Sequence, residues 1–600
     1  MSSTTTASLP YREPGIVNIL IVSSFLLVLN AVNYILDKLV YCGLEGQLFI
    51  GIAWGAPGAN WLSPALQQSV VELGYLGLIL IVYEGGLASD LKALRANLAL
   101  SLLVALTGIA TPVALSFALL GLMPLSPVQA FAAGAALCST SLGTIFTVLS
   151  TSGLTESRLG VVLTSAAMLD DIVGLIMVQI ISSLGAGSSF MEGVILRPVF
   201  VSVAFAVCTP LVCMFVARPL IRIICCLLDS TPNANFKRIF RSSKAALVYQ
   251  TLLLLAMVTG ATYAGTSNLF AAYLTGVSVT WLGECISTQA PEMNTRQAPR
   301  QPPSQNRRLG TTPPGRNETF NRTTTTTSSN TQETLPQNSG RQVFEKYYSP
   351  LVNAILRPFF FASIGFAIPI TKMFTGRIVW RGLVYTLLMI FGKLICGLWL
   401  IRFASVSRGK RVSRVFYAIE LSSWKIFGSK IATTEANTAR LNQRSAHMDT
   451  TSDGHQRPSS SKRQKQNNPT DSPTPSTHET SKPTPPQTTQ NPPNTSRKRT
   501  PPPKSLYPAT ILGSAMISRG EIGFLISSIA ESQGVFGQQN SNEVFLVVTW
   551  AILLCTLIGP VAVGLLVKRV KRLQRRERRK DSGCEDPLGV WGVVSVEVGR

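Results

Sequence analysis

Histidine is almost missing from this 600-residue chain: there are three, His447, His455 and His478, and all fall in one polar stretch. A histidine-centred acid–base or nucleophilic site in the apolar body of the protein is therefore excluded, and no other nucleophile–base arrangement is visible there. Cysteine is scarce and scattered. The ten cysteines lie mostly singly within apolar runs, as Cys138, Cys208, Cys396 and Cys555 do, with no CxxC pair. That pattern argues against a disulfide framework and against a zinc site, and no cofactor is expected. Charge is the third scarcity. Charged residues make up 14% of the chain against 46% hydrophobic ones, with a mean hydropathy of +0.27. Acidic residues are outnumbered 30 to 54 by basic ones, giving a net charge of +24. The basic excess sits in loops and in the tail Lys568–Lys580. It reads as a topology signal and a contact with anionic lipid, and no nucleic-acid partner is expected. A cleavable signal peptide is not evident, since Met1–Pro10 is polar and the apolar run Gly15–Leu36 is long enough to be a retained span.

What the chain does have is long apolar runs, about thirteen of them, each near the ~20 residues that cross a bilayer. They lie near 15–36, 44–61, 65–88, 96–122, 127–152, 158–185, 194–217, 244–264, 266–286, 347–372, 378–404, 506–532 and 543–567. The second and ninth are weakened by Gly and Pro. The chain thus divides into spans one to nine (1–286), a disordered insertion (287–345), spans ten and eleven (346–404), a second, basic disordered insertion (405–504), spans twelve and thirteen (505–567) and a basic tail (568–600). The insertions are rich in Thr, Ser, Pro, Asn, Gln and Arg and cannot bury enough apolar surface to offset chain entropy. Within 415–431 a more apolar segment is expected to form an interfacial helix.

Charge tests the span count. With the N-terminus outside, loops after odd-numbered spans hold Lys38, Lys92, Arg95, Arg158, the group from Arg218 to Lys244, both insertions and the tail. Only Arg197 and the group Lys372, Arg377 and Arg381 oppose the positive-inside rule. The expected topology is N-terminus outside or lumenal and C-terminus cytoplasmic, in the plasma membrane or an endomembrane. The sequons at Asn317 and Asn321 would then face the cytoplasm and stay unused.

Asp170 and Asp171 are the residues that most need explaining, because they lie adjacent in the middle of the apolar run 159–184. A carboxylate at that depth usually faces a water-filled cavity or a charged partner on an ion or proton path. The bland alternative, a buried helix of a soluble protein, conflicts with the rest of the chain. Two other spans carry unusual chemistry: Gly134–Thr144 places small and hydroxylated residues mid-membrane, and Ile511–Phe524 places Gly and charge there. Each is either a packing surface or a broken helix lining a polar site. Their placement, one before the acidic span and one after the span carrying Lys393, favours paired broken helices in a transporter with inverted repeats.

At these residues the chain resembles the monovalent cation:proton antiporter family, in its paired-aspartate branch. The motifs are Ala166–Leu175, Leu76–Leu87, Phe359–Gly365, Ser518–Phe524 and Gly265–Gly276, and the likeness covers about 400 of the 600 residues. It implies an all-α polytopic membrane protein of about thirteen transmembrane helices with inverted repeats and two broken crossing helices, working as a homodimer. It implies that Asp171 binds the cation and exchanges it for a proton, and that Asp170 pairs with Lys393. Ser139 and Thr140 would lie in the unwound crossing and help coordinate the ion. Arg519 and Glu521 would be a structural or gating charged pair, and Glu84 stands where a more apolar residue is common. No room is left for the nucleotide-binding regulatory domain of some bacterial relatives.

Physical chemistry supports this without the family. Burial, the neighbouring carboxylate and Lys393 all act on the aspartates, so the pair titrates as a coupled unit. Protons and Na+ or K+ then compete for the same oxygens. Two other readings stay open: a channel or ion sensor without coupled exchange, and a fixed Lys393–Asp ion pair with no transport role.

Overall fold

The computed structural model describes residues 13–185, 192–224, 242–294, 339–401, 506–579 and 587–592, apart from short gaps at 41, 91–93, 95–96, 142, 144, 147–148, 150–152, 222 and 538–540. The segment expected to form an interfacial helix and both sequons lie outside the described residues. Among the described residues the structure is entirely helical.

The helices are α1 (Ile16–Val40), α2 (Gly43–Trp54), α3 (Pro64–Leu87), α4 (Leu98–Ser116), α5 (Pro127–Ala136), α6 (Arg158–Gly185), α7 (Glu192–Val212), α8 (Ser243–Ala264) and α9 (Asn268–Asn294). After the first insertion come α10 (Gly340–Tyr347) and α11 (Ser349–Phe366), the latter with a π-helical stretch at Val352–Leu356. Then follow α12 (Gly376–Leu394), α13 (Tyr507–Ala515), α14 (Glu521–Ser532) and α15 (Ser541–Arg579). Every stretch expected to span is helical in part. Nine helices among the described residues are long and apolar enough to cross a membrane. The second expected span is only the 12-residue α2, and the fifth and twelfth are each broken near their middle. The polar insertion is shorter than expected from composition. Helix α9 runs on to Asn294, and the amphipathic α10 begins at Gly340, its Val343 and Phe344 buried.

Packing sorts the helices into two groups. The first contains α1, α2, α3, α8, α9 and α11; the second contains α4, α5, α6, α12, α13, α14 and α15. The contacts repeat between the early and late halves of the chain: α1 on α2 as α8 on α9, α2 on α11 as α9 on α3, α4 on α6 as α12 on α15, and α4 on α5 as α12 on α13. The α2–α11 and α3–α9 crossings depend on glycine in a physical way. A methyl group at Gly51 would overlap the carbonyl oxygen of Ala362, and one at Gly86 would overlap that of Tyr273. Small residues at such contacts let backbones meet where lipid offers no hydrophobic drive for helix association.

Lipid-facing character is clear on α1 and α7. Ile16, Leu20 and Leu27 on α1 and Phe200 and Val207 on α7 are exposed apolar side chains. At the other extreme, the two groups bury a continuous apolar core that includes Phe270, Phe361, Phe545 and Ile552. Two of the basic residues that oppose the charge rule are held by a single carboxylate. Arg381 Nη1 lies 3.0 Å from Glu543 Oε2, and Arg377 pairs with the same glutamate.

Candidate functional site

The site lies in the second helix group, where α5 and α13 both stop mid-span. Helix α5 is well started: Ser126 and Gln129 form a reciprocal capping box, with Pro127 at its first turn. It ends at Ala136, ahead of Ser139, Thr140 and Ser141, whose hydroxyls compete with helical backbone bonding. Helix α13 ends at Ala515, and α14 restarts at Glu521 after an extended Gly520. The two breaks are stitched together by a backbone bond, Ser141 N–H to Ser518 O at 3.0 Å.

Freed backbone groups in an apolar interior must find partners, and here buried cations supply them. Lys393, from the last turn of α12, is fully buried. Its Nζ donates to Cys138 O at 2.7 Å, to Thr140 Oγ1 at 2.8 Å and to Asp170 Oδ2 at 2.8 Å. Three donors thus meet three acceptors. Thr140 Oγ1 in turn donates to the same Asp170 oxygen at 2.7 Å, closing a triangle of Lys393, Thr140 and Asp170. Asp170 Oδ1 remains buried without a hydrogen-bond partner. Arg519, fully buried in the second break, donates from Nη1 to Ser139 O at 2.9 Å. Its Nε and Nη2 have no hydrogen-bond partner among the described residues, and its own carbonyl accepts from Thr556 Oγ1 at 3.2 Å. Both cations stand at the C-terminal end of α5, where the helix dipole is negative.

Asp171 stands apart from this lock. Adjacent to Asp170 on the same helix α6, it is only half-buried and among the described residues accepts a single hydrogen bond, Ser139 Oγ to Oδ1 at 3.0 Å. Glu521 opens the first turn of α14 after the second break.

The predicted residues are therefore brought together, with distinctions that spacing alone does not give. Ser139 serves Asp171, whereas Thr140 serves Asp170 and Lys393. Arg519 and Glu521, expected as a structural or gating charged pair, form no ion pair with one another among the described residues, and the guanidinium is turned onto backbone carbonyls. Glu84 lies outside this cluster, on α3, paired with Arg357 of α11 at 3.1 Å. Gly108 of α4 was not anticipated. A methyl group there would lie 3.3 Å from Lys393 Nζ and 3.4 Å from Asp170 Oδ2, so its missing side chain is part of the wall around the ion pair. Glycine is too common in membrane spans for that role to be read from sequence.

The chain is similar to known proteins. Residues 24–292 match the family model described as sodium/hydrogen exchanger, transmembrane. A 140-residue stretch is 34% identical to the high-affinity Na(+)/H(+) antiporter NhaS3 of Synechocystis, covering 23% of this chain and 30% of that protein. Another of 155 residues is 31% identical to the Na(+)/H(+)-K(+) antiporter GerN of Bacillus cereus, covering 26% of this chain and 40% of that one. The chain thus matches less than half the length of these curated relatives. Among solved structures, the sodium proton antiporter MjNhaP1 of Methanocaldococcus jannaschii at pH 8 aligns with a TM-score of 0.50 over 92% of this chain and 99% of its own, at 12% identity, a likeness of fold alone. Apolar helices and fold together define a multi-pass integral membrane protein. Within that class, residues 24–292 are similar to the sodium/hydrogen exchangers.

Proposed function

We propose that the protein exchanges a monovalent cation, Na+ or K+, for protons by alternating access, with Asp171 as the shared binding group. The observation that carries this reading is the unequal treatment of two adjacent carboxylates. Asp170 is saturated on one oxygen by Lys393 and Thr140, while Asp171 accepts one weakly committed serine hydroxyl at the edge of the same cluster. A carboxylate that must release its ligand cannot be locked by a lysine. Lys393 is committed to Asp170, so the charge of Asp171 is the one left for a ligand to neutralise. One proton or one monovalent cation neutralises it, and the two compete.

Lys393 and Arg519 hold the unwound carbonyls, Ser139 orients Asp171, and Thr140 supports the ion pair and takes no cation itself. The helix group holding the site moves as a body against the other, in the manner of transporters built from inverted repeats. Glu84, with Arg357, faces that movement from the other group and has a gating role. The N-terminus lies outside and the C-terminus in the cytoplasm, and the protein is a homodimer in the membrane.

The test is Asp171→Asn in proteoliposomes carrying a pH gradient. Exchange predicts that wild-type protein collapses the gradient on addition of Na+ or K+ and that the variant does so no faster than empty vesicles. If the variant kept cation flux without proton coupling, a channel would be the better description.

A further inference from the structure

The short segment Pro587–Gly592, eight residues beyond the end of α15, carries two apolar side chains that are almost completely buried: Leu588 is 1% exposed and Trp591 is 2% exposed. Both belong to a single apolar cluster. Its other members are Leu100 and Val104 of α4, Ile145 and Leu149 beyond the break after α5, Leu159, Val162 and Leu163 at the start of α6, and residues of α13 and α15. All of them come from the helix group that holds the site, or from its crossing. Trp591 also covers a charge. The guanidinium of Arg158, the first residue of α6, lies 5.0 Å from the centre of its ring. A cation in that position opposes the helix dipole, and an aromatic face is one of the few groups that can accommodate it next to apolar packing.

We infer that Pro587–Gly592 is an intramolecular clasp: the end of the site-bearing helix group presents a surface for this segment, and its docking holds the second half of the broken crossing and the first turns of α6 in the geometry that binds the cation. This rests on the exchange reading above. The direction of the effect follows from the apolar cluster that the clasp joins. A lock that stops alternating access would have to join the two helix groups, and the cluster of Leu588 and Trp591 contains residues of one group only. Ile145 and Leu149 follow Ser139 and Thr140 by a few residues, and Leu159 to Leu163 precede Asp170 and Asp171 by two turns. Loosening either end shifts the serine relative to the aspartate it orients. The signature is therefore weakened cation binding with turnover kept.

The experiment compares full-length wild type, Trp591→Ala, Leu588→Ala/Trp591→Ala and Trp591→Phe in proteoliposomes, reading initial exchange rate against Na+ and against K+ concentration. The two alanine variants should raise the apparent KM about three- to tenfold with the maximal rate within about twofold of wild type. Trp591→Phe, which keeps an aromatic face, should stay close to wild type. In parallel, hydrogen exchange of peptides spanning Ile145 to Leu163 should quicken in the alanine variants and not in Trp591→Phe. An unchanged KM and unchanged hydrogen exchange would overturn the clasp. A raised maximal rate at constant KM would also overturn it, since the contact would then be inhibitory. A wild-type protein that exchanges no cation would refute the proposed function instead, and hydrogen exchange would still decide the clasp.

Discussion

Lys393 donates all three of its protons to fixed oxygens, and this sets the behaviour of the residues around it. Replacing it by Met leaves Asp170 buried without its counter-charge, and removing one partner of a buried ion pair costs about 3–5 kcal/mol. Lys393→Met should therefore lower the thermal unfolding temperature in detergent markedly, and Asp170→Asn on the same background should recover most of the loss. Equal melting temperatures for the single and double variants would show that the pair is not the stabilising contact. Arg519 differs in kind, because its one fully formed side-chain bond goes to Ser139 O. Arg519→Met removes a charged donor from the Ser139 carbonyl, a loss of about 1–3 kcal/mol. The same change should raise the apparent KM for the cation, since Ser139 also orients Asp171.

Between elements, the close crossings matter more than length. Helix α2 has only 12 residues, and its place in the bundle depends on Gly51 lying against the backbone of α11. Gly86 does the same for α3 against α9. Overpacking a tight contact costs about 1–3 kcal/mol, and here the clash is with backbone that has no side-chain rotamer to yield. Gly86→Leu should thus give less monodisperse protein and a lower melting temperature in size-exclusion and thermal-shift measurements. A leucine at Gly85, where nothing lies within 4 Å of an added methyl group, should be tolerated. The two helix breaks follow the opposite logic. Bonding that stays within each segment elsewhere passes between them instead, through Ser141 to Ser518, so the half-helices are positioned by one another.

For the whole molecule, the proposed competition of a proton and a cation for Asp171 makes pH the natural test. Lower pH loads protons onto the carboxylates, so a competing cation needs a higher concentration to displace them. If one proton competes with one cation, the apparent KM should rise by up to about tenfold for each unit of falling pH below the titration of the coupled group, with the maximal rate changing less. A KM independent of pH between 5 and 9 would contradict competition. Topology has its own test in cysteine labelling from either side of sealed vesicles. Arg377 and Arg381, which oppose the expected orientation, are both paired with the one carboxylate of Glu543 and are the positions to label first.

The aspartate pair, the lysine that meets it, the small-residue breaks and the apolar stretches were legible in the sequence. Each follows from local cost: a carboxylate in an apolar run needs a reason, and a run of about 20 apolar residues has few soluble uses. Composition also marked the polar insertions, although it placed their edges several residues wide, because α9 and the amphipathic α10 extend into them with too few apolar residues to read as spans. Other features had no local signature. Arg519 turned to the Ser139 carbonyl rather than to Glu521, Thr140 and Ser139 divided between the two aspartates, Gly108 formed the wall of the ion pair, and Trp591 docked on Arg158. All are contacts between residues far apart in the chain, with partners chosen by which helices meet at the break. The sequence by itself determined that charge would be buried in a membrane and which residues would carry it. Only the tertiary structure decided which oxygen faces which cation, since a buried group takes the partner that packing brings within reach.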